Sequence, residues 1–145
     1  NLRPYLESIP LPKIILTNAP KEHAERVLNK LGIADLFLDI CDIRCSDFYG
    51  KPYPLSFEIA LQKIGGNINN SLFIDDMQKY VDGYTALGGT AVLVGNKNGR
   101  PLEEDAKPMQ AIKNKQKGTL YKIQNIYELK DLLNTAIFPS SLIKS

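Results

Sequence analysis

The chain is poor in the residues that build zinc centres and disulfide frameworks. It has two cysteines, Cys41 and Cys45, and one histidine, His23, in 145 residues. That count argues against a zinc site. Reduced thiols in a cytoplasmic protein are the expectation. No run approaches the roughly 20 apolar residues of a membrane-spanning helix. No signal peptide is visible, and the first residue is Asn rather than Met, which points to trimming or to a start within a longer protein. A net charge of +2, without a dense basic patch interleaved with aromatics, argues against a nucleic-acid partner. Lys113, Lys115 and Lys117 alternate with polar residues and read as a solvated loop. Internal repeats and low-complexity tracts are absent.

What is present is an ordinary globular composition, with 43% hydrophobic and 23% charged residues. The length predicts one domain, residues 1–138, followed by a frayed tail at 139–145. Leu2, Tyr5, Leu6 and Ile9 have helical spacing, and Pro10 and Pro12 end that helix. Strands are predicted at 13–16, 37–41, 71–74 and 91–94, with 119–123 as an edge strand. Helices are predicted after Pro20, after Pro54, over 78–87 and over 127–133. Pro20 suits a first helical position. Gly32 and Gly65-Gly66 stand where C-terminal caps belong. Strands alternating with amphipathic helices predict an α/β, doubly wound, Rossmann-like fold with a mostly parallel sheet.

Polar residues fall at the ends of successive strands, where ligands bind in open α/β sheets. The most informative stretch is Phe73-Ile74-Asp75-Asp76, an apolar run closed by two carboxylates. Adjacent acids are costly unless a cation neutralises them, and Mg²⁺ is the natural candidate. A solvated turn is the competing reading. Thr17 and Asn18 follow the first strand, where a hydroxyl and helix N-terminal N–H groups could cradle phosphate or simply cap a helix. Lys51, within Gly50-Lys51-Pro52, could neutralise a phosphate and a carboxylate together, or be a surface charge. Pro52 and Pro54 would stiffen the backbone that carries it.

These segments together resemble a known family. Ile15-Leu16-Thr17-Asn18, Gly50-Lys51-Pro52 and Phe73-Ile74-Asp75-Asp76 look like the second, third and fourth motifs of the haloacid dehalogenase-like phosphohydrolases, in order, from about residue 2 to residue 95. His23-Ala24, Arg26-Val27-Leu28 and Leu31-Gly32 look most like the pyrimidine 5′-nucleotidase branch. The resemblance implies that Thr17 hydrogen-bonds a phosphoryl group and that Lys51 holds the charge of phosphate and nucleophile. It implies that Asp75 and Asp76 bind Mg²⁺, with Asp76 the direct ligand, and that Asn18 orients substrate. The implied partner is a small phosphorylated metabolite. His23, without a partner acid or base, reads as a helix-surface residue.

The sequence also departs from the family. Met77 and Tyr80 stand where members often carry Ser and Asn or Asp, which puts the hydrogen bonding around the acids in question. Asp82 could compensate or lie on the helix surface. The family's first motif, a strand ending in Asp-x-Asp that supplies the nucleophile, has no counterpart in the chain. In the family that strand lies at the centre of the sheet, between those at 13–16 and 71–74. The expectation is therefore the C-terminal part of a Mg²⁺-dependent phosphohydrolase that lacks its central strand and cap and is inactive by itself. The alternative is a non-catalytic binding module that has lost the nucleophile. Dehalogenation is disfavoured, because it needs no metal acids.

Overall fold

A computed structural model of the chain describes residues 1–95 and 118–137. The polar stretch with its alternating lysines and the C-terminal tail lie outside the described residues. The chain divides into two compact units, residues 1–67 and 68–145, and each is described by itself.

In the first unit, α1 (Leu2–Glu7) precedes a short strand β1 (Ile15–Leu16). Helix α2 (Lys21–Leu31) leads through a 3₁₀ turn (Ala34–Leu36) to β2 (Ile40–Cys41). A second 3₁₀ turn (Ile43–Ser46) and a loop then lead to α3 (Pro54–Ile64). β1 and β2 pair in parallel, with Ile15 opposite Ile40 and Leu16 opposite Cys41. Backbone bonds continue the pairing at both ends, Leu38 N–H to Lys13 C=O at 2.7 Å and Thr17 N–H to Cys41 C=O at 3.0 Å. The strands predicted at 13–16 and 37–41 are thus regular only over their last two paired residues.

Both long helices of this unit stop as their glycines predict. Gly32 and Gly65 have φ of 72° and 73°, a left-handed conformation that costs other residues energy. Pro20 lies one place before the first helical position, as an extended N-cap. Ile9, Ala24, Leu28, Ile33, Cys41, Phe57 and Ala60 are buried. Phe57 is 1% exposed, so truncation to Ala should cost about 3–5 kcal/mol. Arg3 grips Asp35 with both guanidinium nitrogens, at 2.7 and 2.8 Å, and also donates to Gly32 C=O at the end of α2.

The second unit is a three-stranded parallel sheet in the order β3 (Leu72–Asp75), β4 (Thr90–Val94), β5 (Thr119–Ile123). Asp75 stands opposite Leu93, and Val94 opposite Ile123. Helix α4 (Gln78–Ala86) connects β3 to β4. Ala91, Val92 and Leu93 are consecutive and all buried, as a central parallel strand covered on both faces requires. β3 is an edge of this sheet and is half-buried throughout. Tyr84 on α4 donates its hydroxyl to Ser71 C=O at 3.0 Å, and its ring lies 5.3 Å from that of Phe73.

After β5, Asn125 and Glu128 form a reciprocal capping box around a 3₁₀ turn (Ile126–Glu128). Helix α5 (Leu129–Leu132) follows and widens into a π-turn over Leu133–Ile137. The helix predicted at 127–133 therefore holds only four α residues. Helices and parallel strands make this an α/β, Rossmann-like architecture.

Candidate functional site

Thr17 is the first residue beyond β1. Its N–H completes the β2 pairing, and its hydroxyl oxygen accepts the Ala19 N–H at 3.1 Å. This bond folds the chain over into α2. An oxygen that accepts in this way still carries a proton to donate.

Asn18 and Lys51 are brought together over 33 residues of sequence. Lys51 N–H donates to Asn18 Oδ1 at 2.8 Å, and Asn18 Nδ2 donates to Lys51 C=O at 3.1 Å. The carboxamide thus reads the Lys51 backbone as a strand neighbour would. Gly50 makes this possible. It is buried, and a Cβ there would collide with Asn18 Oδ1 and lie 2.7 Å from Ile43 Cδ1. The glycine before the lysine is required for close approach rather than for an unusual φ.

The loop around Lys51 is tightly built. Tyr53 N–H returns to Gly50 C=O at 2.8 Å, and the Lys51–Pro52 peptide is cis. Ser56 donates its hydroxyl to Tyr53 C=O at 2.8 Å, at the start of α3. Upstream, Asp47 and Phe48 have φ of 51° and 67°, two consecutive non-glycine residues in the left-handed region. Such residues cost energy that the surrounding contacts must offset.

Asp42 is a site residue of the fold that the sequence did not reveal. It is buried, yet one oxygen accepts the Lys21 N–H at the start of α2 at 2.8 Å. The same oxygen accepts Arg44 Nε at 2.9 Å, and the other accepts the Arg44 N–H at 3.0 Å. Burial pushes its carboxyl pKa up, but the bonds from the Arg44 side chain and from the Lys21 and Arg44 backbones outweigh it and leave the net value below the usual carboxylate range. Arg44 also pairs with Glu22 at 2.6 Å. Asp42 therefore supplies the anion for an α2 N-terminus whose own cap residue, Pro20, has no side-chain acceptor. An acid just after a strand, 21 residues from the N–H it caps, carries no local signal.

In the second unit, Asp75 ends β3 and Asp76 follows it, both half-buried. Asp75 Oδ1 accepts the Met77 N–H at 3.0 Å, which fixes that carboxylate at the turn into α4. Met77 is exposed and contributes its backbone here. Tyr80 lies under the Lys79 ammonium, 5.3 Å from its ring centre. Asp82 is exposed and accepts from Gln78 one turn earlier on α4, at 2.9 Å, which is a helix-surface role. His23 is likewise exposed, on α2. Two adjacent hard-oxygen donors fit Mg²⁺, which is commonly held by one or two carboxylates and completed by water and substrate. No cluster of three or more His, Cys, Asp or Glu suited to a metal occurs among the described residues. A depression of about 230 Å³ in the first unit, lined by Lys21, Glu25, Asn29 and Asp39 among others, shares no residue with this predicted set.

Parallel βα units with polar residues at the carboxyl ends of their strands make an α/β core of the Rossmann-like kind. Residues 6–79 match the family model described as haloacid dehalogenase-like hydrolase, and the chain belongs to that family. The matched span includes Thr17, Asn18, Lys51, Asp75 and Asp76. No helix among the described residues is long and apolar enough to cross a membrane.

Proposed function

We propose that the chain supplies the phosphate-binding and metal-binding residues of a Mg²⁺-dependent phosphohydrolase for small phosphomonoesters, with pyrimidine nucleoside 5′-monophosphates as the substrate class. The observation that carries this reading is the two-way bond between Asn18 and Lys51. Both bonds hold the Lys51 backbone, and a fixed backbone is what a lysine meeting a developing negative charge requires.

In this reading Lys51 neutralises the phosphoryl group, and the Thr17 hydroxyl donates to one of its oxygens. Asn18 serves the substrate by holding the backbone from which Lys51 projects. Asp75 and Asp76 would hold Mg²⁺, an ion that supplies positive charge for phosphoryl chemistry when bound. The Asp75 carboxylate is oriented for that role by the Met77 N–H. The carboxylate nucleophile is not among these residues, since the chain contains no Asp-x-Asp.

The second reading is a phosphate-binding module without catalysis, and the same missing Asp-x-Asp favours it. Inorganic phosphate titrated into the chain tests what the two readings share. Binding should weaken at least tenfold in Lys51→Ala, the scale expected for a lost charge-assisted bond. Equal binding by wild type and Lys51→Ala would reject both. Reconstitution separates them: a peptide carrying an Asp-x-Asp strand should restore Mg²⁺-dependent turnover only if the chain is part of an enzyme.

A further inference from the structure

The loop that carries Lys51 also carries three exposed aromatic side chains. Phe48, Tyr49 and Tyr53 are 70%, 55% and 57% exposed. Large rings left in water forgo the burial that normally stabilises them, so an exposed group of three marks a contact surface. Tyr49 and Tyr53 are not separate. Their ring centres are 5.5 Å apart in an edge-to-face arrangement. Tyr49 enters and Tyr53 leaves the turn closed by the Tyr53 N–H to Gly50 C=O bond, and Lys51 lies within that turn. The Lys51 backbone is held by Asn18, and Gly50 permits that close approach, so the turn between the two tyrosines is fixed.

We propose that the edge-to-face pair of Tyr49 and Tyr53 forms a platform for the planar base of a nucleotide whose phosphate is held at Lys51, one ring offering its face for stacking and the other flanking the base. This rests on the phosphate-binding reading of Lys51 and adds the residues that select a phosphomonoester whose alcohol part carries an aromatic base. The occupant follows from the chemistry side by side on one loop, a cation for an anionic group and π-faces for a flat ring. A nucleoside monophosphate carries both, and a sugar phosphate carries only the first. Phe48, the residue before Tyr49, is exposed on the same loop, with a left-handed backbone. Stacking tolerates any base, so the platform sets the preference for nucleotides over sugar phosphates and leaves the choice between bases to other groups.

Calorimetric titration of the 145-residue chain with uridine 5′-monophosphate, ribose 5-phosphate and inorganic phosphate tests the proposal. The chain has seven tyrosines and no tryptophan, so tyrosine emission reports the same event directly. The nucleotide should bind about fivefold or more tighter than ribose 5-phosphate, as one stacked base allows. The Tyr49→Leu/Tyr53→Leu variant should lose that gap while its ribose 5-phosphate affinity is unchanged, and Tyr49→Phe/Tyr53→Phe should keep it. Equal affinities in the wild type, with both abolished by Lys51→Ala, would overturn the platform and leave the phosphate site standing. Parallel loss of both ligands in the leucine variant would also overturn it, because the tyrosines would then only brace the loop. Failure of all three ligands to bind in a Lys51-dependent way would overturn the phosphate site and the platform together.

Discussion

Asn18 Oδ1 accepts the Lys51 N–H while Asn18 Nδ2 donates to the Lys51 C=O, so one side chain satisfies both polar groups of a residue 33 positions away. An asparagine is the one small side chain that carries a donor and an acceptor side by side. The pairing ties the turn after β1 to the loop before α3. It depends on Gly50, because the space that a Cβ would need is filled by the Asn18 carboxamide.

Asn18→Ala should destabilise the chain by about 1–3 kcal/mol, the cost of two lost bonds with partly buried partners. Asn18→Asp should be worse at neutral pH than its shape suggests, because a carboxylate oxygen would replace the donor facing the Lys51 carbonyl. Gly50→Ala should match or exceed Asn18→Ala. Urea unfolding midpoints of the three variants check this, and a silent Gly50→Ala would contradict the close approach.

Acid should unfold the chain partly through Asp42 and Asp35. The Arg3 guanidinium holds Asp35 at about 2, and the bonds to Asp42 outweigh its burial and hold it below its ordinary value of 3.8. A carboxyl with a depressed folded-state pKa binds more protons when unfolded. Its stabilisation is therefore complete above the unfolded value near 3.8 and is lost as pH falls toward the folded value. Asp42→Asn should flatten the fall in stability below about pH 5. It should leave the slope above that unchanged, which denaturant titrations at stepped pH would show. The Asp35 pair is exposed, so its share should shrink in high salt.

Local signals carried most of the secondary structure. Gly32 and Gly65 announced their helix ends, and the run Leu72-Phe73-Ile74 before two acids announced β3. The segment at 37–41 misled because Phe37 and Leu38 suggest a buried strand. Leu38 is 65% exposed, and only Ile40 and Cys41 pair regularly. Thr17, Lys51 and the Asp75-Asp76 pair were legible as polar residues at strand ends or before a helix. The bonds that organise the first unit were not. Asp42 to Lys21 and Asn18 to Lys51 join residues far apart in sequence, and neither end signals the other before the chain is folded.

Ser46→Ala should leave stability unchanged or raise it by up to about 1 kcal/mol. The Ser46 hydroxyl is buried and makes no hydrogen bond among the described residues. Burying a hydroxyl without a partner costs free energy that a methyl group does not. A thermal midpoint lowered by several degrees would show that the hydroxyl has a partner after all.

The two thiols should react very differently. Burial, with a further contribution from the neighbouring Cys45 thiol, pushes Cys41 up to about 12, and Cys41 is fully enclosed beside β1. Cys45 is half-exposed. Since the thiolate is the reactive form, a chromogenic disulfide reagent should modify one thiol in the native chain and two after denaturation. Peptide mapping should place the first on Cys45. Fast release of two equivalents from the native protein would contradict the burial of Cys41.

The 145-residue chain by itself should not hydrolyse phosphomonoesters, with or without Mg²⁺. The family's phosphoryl acceptor is a carboxylate at a strand end within Asp-x-Asp, and no such sequence occurs in the chain. Thr17 is no substitute. Its hydroxyl oxygen already accepts the Ala19 N–H, and its neighbours Leu16 and Asn18 offer no base to remove its proton. Asp75 and Asp76 are adjacent and suited to a cation. Phosphate release from uridine 5′-monophosphate and from a nitrophenyl ester, followed with and without excess chelator, should stay at the background rate for wild type, Lys51→Ala and Asp76→Asn alike. A Mg²⁺-dependent rate that falls in both variants would show that this chain contains a nucleophile outside the family's pattern, and Asp75 and Asp76 would then be the first place to look for it.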